Sequence, residues 1–107
     1  MYPGKRQVLI FYKEDGNIIK DKQLAILQQN EAGLKEREIT VKTYNITVQN
    51  GEATKWKIEP SASFIFLLIG KDGGEKLRSD SLVNADRLFS VIDAMPMRKN
   101  EMKRYKP

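Results

Sequence analysis

Asp93, Arg98 and Glu101 stand close together near the C-terminal end of the 107-residue chain, with Met97 beside Arg98. A guanidinium can grip a carboxylate or phosphate through two parallel N–H···O bonds, so Asp93, Met97 and Arg98 form a candidate interaction or anion-binding site. The same residues also fit an ordinary helix end. There, Arg98 and Lys99 would offset the negative end of the helix dipole, Pro96 would stop the helix, and Met95 and Met97 would pack against a sheet edge. That structural account carries more weight. The acid pairs Glu36 with Glu38 and Asp80 with Asp86 have no geometry that spacing defines. A chain this short also leaves little room for the cleft that paired catalytic carboxylates need.

What the chain lacks narrows the chemistry further. It contains no cysteine and no histidine. A disulfide framework, a thiolate nucleophile and thiol redox cycling are therefore excluded, and the commonest metal ligands and the usual near-neutral general base are gone. No cofactor and no metal site are expected, and an enzymatic role is disfavoured. The formal charge is +5. From Met97 onward there are five basic residues (Arg98, Lys99, Lys103, Arg104 and Lys106) and one acid, Glu101, so the body before them is close to neutral. This reads as a solvated, partly mobile basic tail from about residue 97. Tyr105 among those cations permits base stacking, but one short tail on a neutral body is a poor nucleic-acid footprint. No run approaches the roughly 18 to 20 apolar residues of a membrane helix. The start, Met1 to Arg6, lacks a signal-peptide pattern, so the expectation is a soluble chain, either cytoplasmic or processed and exported.

The elements that position these residues follow from periodicity. Gln7–Tyr12 is a continuous apolar run, the mark of a strand covered on both faces. Asp21 is a candidate N-cap for a helix whose stripe includes Leu24, Leu27 and Leu34, with Gly33 near its end. Glu38–Ile46 alternates and is rich in β-branched residues, predicting a half-exposed second strand. Asn50-Gly51 opens a turn, residues 52–57 suit a short helix, and Trp56 reads as a partly buried cap on the core. Phe64–Ile69 is too continuous to face water and marks the centre of the sheet. Lys71-Asp72-Gly73-Gly74 then turns it into a hairpin with Glu75–Arg78. A phosphate-binding reading of the glycines fails for want of a fingerprint opening a helix. Asn84 caps a last helix with Ala85, Leu88, Phe89, Ile92 and Met95 on one face. The whole reads as a single α/β domain over residues 1–107, with a mixed sheet of about four strands and helices on both faces. The order of elements matches the thioredoxin fold.

The stretches Ile69-Gly70-Lys71-Asp72-Gly73-Gly74-Glu75-Lys76-Leu77-Arg78 and Ile92-Asp93-Ala94-Met95-Pro96-Met97-Arg98 sharpen this. From about Arg6 to Met102 the chain resembles an uncharacterised domain family found in bacteria and, in animals, within sushi-repeat-containing and related extracellular-matrix proteins. The resemblance implies a thioredoxin-like, peroxiredoxin-related fold and supplies no activity. Thiol enzymes of that fold place Cys-x-x-Cys after the first strand, where a helix N-terminus lowers the thiol pKa. Here that position is near Glu14-Asp15-Gly16-Asn17, acidic and free of thiols. They also carry a cis proline just before the central hairpin, whereas Pro60 lies earlier and its isomer is open.

The functional expectation is a redox-inactive, thioredoxin-like interaction module whose partner is another protein. Added strand pairing along the second strand, partly guarded by Lys42, is the natural route. One alternative is a small-molecule or anion binder, or an unrecognised enzyme, using the helix end around Asp93 and Arg98. A second is a weak polyanion binder acting through the tail. What the Met95-Pro96-Met97-Arg98 stretch does is left open.

Overall fold

The computed structural model describes residues 5–48 and 50–104. The expectations for the chain start and for Tyr105 and Lys106 lie outside those residues. Four strands, β1 (Arg6–Tyr12), β2 (Ile39–Asn45), β3 (Phe64–Ile69) and β4 (Glu75–Ser79), form one sheet in the order β2-β1-β3-β4. The two most continuously apolar runs take the two central places. Strand β1 runs parallel to β2, from Arg6↔Ile39 to Tyr12↔Asn45, and antiparallel to β3. The hairpin β3–β4 closes through Gly73, whose φ of 85° suits glycine.

Because successive side chains of a strand point to opposite faces, the apolar runs build two cores. On one face Val8, Ile10, Phe66 and Leu68 pack beneath α1 (Asn17–Gln29), α2 (Glu31–Glu36) and α4 (Ala85–Asp93), which contribute Leu27, Leu34, Leu88 and Ile92. On the other, Leu9, Phe11, Leu67 and Ile69 are met by Ile46, Ile58 and the half-buried Trp56 near α3 (Gly51–Lys55). Helices thus cover both faces, as the sequence predicts. Asn50 caps α3 by accepting from the Glu52 N–H at 2.8 Å, and Asn84 caps α4 by accepting from Arg87 N–H at 2.8 Å.

Three local expectations are corrected. Helix α1 starts at Asn17 behind a 3-10 turn, Glu14–Gly16, and Asp21 lies exposed inside it rather than capping it. The break that follows falls at Asn30, whose Nδ2 donates to the Ile26 carbonyl at 2.7 Å. Gly33 lies within α2, where a Cβ would stand 2.7 Å from the Phe89 ring, so it serves close helix packing rather than an end. Pro96 does not lead into a loose tail. It opens a further helix, α5 (Pro96–Arg104), where its fixed φ and missing N–H suit the first position. The Pro60 peptide bond is trans.

Candidate functional site

The junction of α4 and α5 gathers charge from the whole chain. Arg98, 2% exposed, donates from Nε to Asp93 Oδ1 at 3.1 Å and from Nη2 to Glu36 Oε2 at 2.9 Å. Arg37 binds the same Asp93 carboxylate with Nε at 3.1 Å and Nη2 at 3.0 Å, while its guanidinium lies 3.9 Å over the Phe89 ring. Glu101 accepts from both Nη atoms of the fully buried Arg6 at 3.1 Å and from Lys71 Nζ at 2.7 Å, and Lys71 also pairs with Glu38. Positive and negative groups balance across this network. Burial pushes the Asp93 carboxyl up, but hydrogen bonds from Arg37 and Arg98 outweigh it and hold the carboxyl below its ordinary range. Glu101 behaves likewise: burial raises it, but hydrogen bonds from Arg6 and Lys71 outweigh that and hold it below its ordinary range.

The structure therefore brings Asp93, Arg98 and Glu101 together but engages Arg98 with internal partners, as a clamp that holds α5 to α4 and α2. Arg98 is also withdrawn from the free charge of the basic segment. Met97, 37% exposed, stands on the rim of a cleft of about 320 Å³ between the β3–β4 turn and the start of α5, whose lining includes Arg6, Lys71, Lys76 and Met95. Among the described residues, no group of three or more acidic, histidine or cysteine side chains is placed to hold a metal ion, and no helix is long and apolar enough to cross a membrane.

At the opposite end of β1, the turn that precedes α1 is locked against the segment before β3. The Lys13 N–H donates to the Ser63 carbonyl at 3.0 Å, and Ser63 Oγ donates to Asp15 Oδ2 at 2.8 Å. Gly16 is buried there, and a Cβ on it would come within 1.9 Å of the Ser63 carbonyl oxygen. Backbone touches backbone where a side chain would otherwise stand. The adjoining cleft of about 440 Å³ is edged by Asp15, Glu59 and Asp80 over Ile19 and Phe64.

Comparison with known proteins decides the family. The family described as "Domain of unknown function (DUF4174)" matches residues 1–101. The chain belongs to it. It is 32% identical to the sushi repeat-containing protein SRPX of Rattus norvegicus and 32% to that of Homo sapiens, in each case over 94% of this chain and 25% of the relative. The chain thus spans about a quarter of the length of those relatives. Among solved structures, a malaria parasite thioredoxin-2 superposes with a TM-score of 0.63 at 15% identity, covering 85% of this chain and 84% of that one. The reduced 2-Cys peroxiredoxin of Plasmodium vivax gives 0.63 at 13% identity, covering 94% and 80%. StoA from Bacillus subtilis gives 0.58 at 14%, covering 83% and 84%. These likenesses show the fold, a thioredoxin-like α/β sheet. With no cysteine in the chain, this family member carries the fold without its thiol chemistry.

Several network members escape sequence reasoning. Arg6 reads as a charge flanking a strand and Lys71 as part of the hairpin turn, while Arg37 carries no signal. The parallel pairing of β1 with β2 sets Arg6 beside the Arg37 carbonyl, to which its Nη1 donates at 2.8 Å. Asp93, Arg98 and Glu101 are the members that proximity in the sequence singles out.

Proposed function

We propose that this domain is a redox-inactive, thioredoxin-like interaction module that recognises another protein through the free edge of its sheet. The observation that carries the reading is the locked turn at Gly16. The place where thiol enzymes of this fold keep their nucleophile is occupied by backbone packed on backbone, which leaves the fold as a scaffold. Strand β2 supports the route, because it lies at the edge of the sheet, with Lys42, Thr43 and Asn45 exposed. An extended partner segment would add to it by main-chain hydrogen bonds, and Lys42 guards the edge against indiscriminate pairing. The SRPX relatives, named for sushi repeats, fit a domain that works inside larger assemblies.

A photo-crosslinker placed at Lys42 is expected to capture a discrete protein from native extract, while one at Lys22, exposed on α1, does not. Purified, that partner should slow amide hydrogen exchange along Ile39–Asn45. Disulfide and peroxide reduction should stay at the buffer rate. Turnover in either assay, or protection confined to α4 and α5, overturns the reading.

A further inference from the structure

The two segments that carry the family resemblance lie far apart in sequence and meet across a single cleft. Gly70, Lys71 and Asp72 form one wall of the 320 Å³ space, and Met95, Pro96 and Met97 form the other. Arg6 contributes to the same lining. It is 1% exposed, and although its two Nη atoms are taken by Glu101 and the Arg37 carbonyl, its Nε is buried with no hydrogen-bond partner among the described residues. A buried donor left unpaired is destabilising, so an acceptor supplied by a ligand would relieve it.

We propose that this cleft is a binding site for a small monocarboxylate with an aliphatic body. Its walls divide the ligand chemically. Met95, Pro96 and Met97 offer apolar surface, and methionine adapts to an irregular alkyl chain. Arg6, Lys71 and Lys76 supply positive charge, and helix α5 points its N-terminus here, where the Met97 and Arg98 N–H groups fall in the first turn that lacks intrahelical partners. Asp72 is the acid in the lining, and it is committed to Lys76 Nζ at 2.9 Å and to the Gly74 N–H at 3.0 Å. Glu101, Glu38 and Asp72 match the charges of Arg6, Lys71 and Lys76 one for one, so the pull on an anion comes from the unpaired N–H donors and the helix N-terminus, which suits a single anionic head better than a phosphate dianion. This site is independent of the β2 edge. The shared chemistry, a carboxylate on an aliphatic body, occurs in free fatty acids and at the C-terminus of a chain ending in leucine.

The test titrates the full isotope-labelled chain with octanoate, octanol, octylamine, inorganic phosphate, and the peptide Gly-Gly-Leu with a free or amidated end. Octanoate is expected to shift the Arg6 Nε–H and Met97 amide resonances saturably, with the neutral, cationic and headgroup-only probes at least about tenfold weaker. If the free-ended peptide binds as octanoate does and its amide does not, the source includes chain termini; if octanoate alone binds, it is a free acid. Met97→Asp and Lys76→Glu, both at exposed positions, should each weaken octanoate about tenfold or more, Met97→Asp without moving the melting temperature. No saturable shift at Arg6 Nε–H, equal binding of octanol, or unchanged affinity in both variants overturns the proposal.

Discussion

Arg6, at the start of the first strand, and Glu101, in the last helix, face each other through two parallel N–H···O bonds of 3.1 Å, sealed to 1% and 12% side-chain exposure. Taking both charges out of water is costly, and their attraction repays it only while both are present. The pair ties the two ends of the chain together and replaces the apolar stripe that helix α5 lacks.

Removing one partner is therefore worse than removing both. Glu101→Met should lower the urea unfolding free energy by about 3 kcal/mol, because the Arg6 guanidinium stays buried without its carboxylate. Arg6→Met combined with Glu101→Met should recover most of that loss, since well-packed apolar pairs often match buried ion pairs. Equal destabilisation in the single and double variants would contradict this account of the clamp.

Acid should loosen the same junction. The carboxyls of Asp93 and Glu101 are held below their unfolded values, so their contribution to stability is complete above those values and is lost as pH falls through the folded ones. The stabilisation should thus decline from about pH 4 downward. Arg37, Arg98, Arg6 and Lys71, the cations facing these carboxyls, stay charged throughout. The exposed pairs Asp72 with Lys76 and Glu75 with Arg78 are lowered too and add a shallower acid dependence. Thermal melts of Asp93→Asn and Glu101→Gln across pH 2 to 6 should show a flatter curve than the parent chain; a parallel curve would contradict the assignment.

The sheet was legible because interior strands leave a plain signature: Phe64–Ile69 has no polar position, and it is buried along its whole length. Edge strand β2 was legible for the opposite reason, its alternation. Helix α5 was not. Its sequence, Pro-Met-Arg-Lys-Asn-Glu-Met-Lys-Arg, presents no apolar face, so periodicity reports a solvated tail, and what docks it is the burial of Arg98 and Glu101 against partners brought in by tertiary pairing. Asp93 and Arg98 were found by proximity in sequence, whereas Arg6 and Arg37 required the register of β1 on β2. Gly33 looked like a helix end because glycine usually marks one; the Phe89 ring that demands it sits on a distant helix.

Gly16 should tolerate no side chain. The nearest atoms to a new Cβ are backbone of Ser63 at 1.9 and 2.7 Å, which no rotamer change can move aside. Gly16→Ala is expected to cost about 3 kcal/mol in chemical unfolding and to speed amide exchange at Lys13 and through the first turn of α1. Gly51→Ala, at a glycine with nothing within 4 Å, should leave those amides unaffected and serves as the control. A Gly16→Ala chain with parental stability would show that the turn is not locked.

Gln23 is a further buried polar side chain whose purpose the sequence hides. It lies at 0% exposure on α1, donates from Nε2 to the Val83 carbonyl at 2.9 Å, and accepts at Oε1 from the Val83 N–H at 2.8 Å. One amide thus satisfies both main-chain groups of a buried residue in the loop before α4, holding that loop against α1 in place of secondary structure. Gln23→Leu keeps the volume roughly but strands a donor and an acceptor, each worth about 1 to 3 kcal/mol when buried unpaired. The expected loss is about 3 kcal/mol, with faster exchange of the Val83 amide and fraying at Ala85–Arg87. Gln23→Glu should fall between the two, since a carboxylate accepts from the Val83 N–H but cannot donate to its carbonyl. It should gain on acidification, when the protonated acid regains a donor. If Gln23→Leu melts with the parent and leaves Val83 exchange unchanged, the loop is held by apolar packing of Val83 alone.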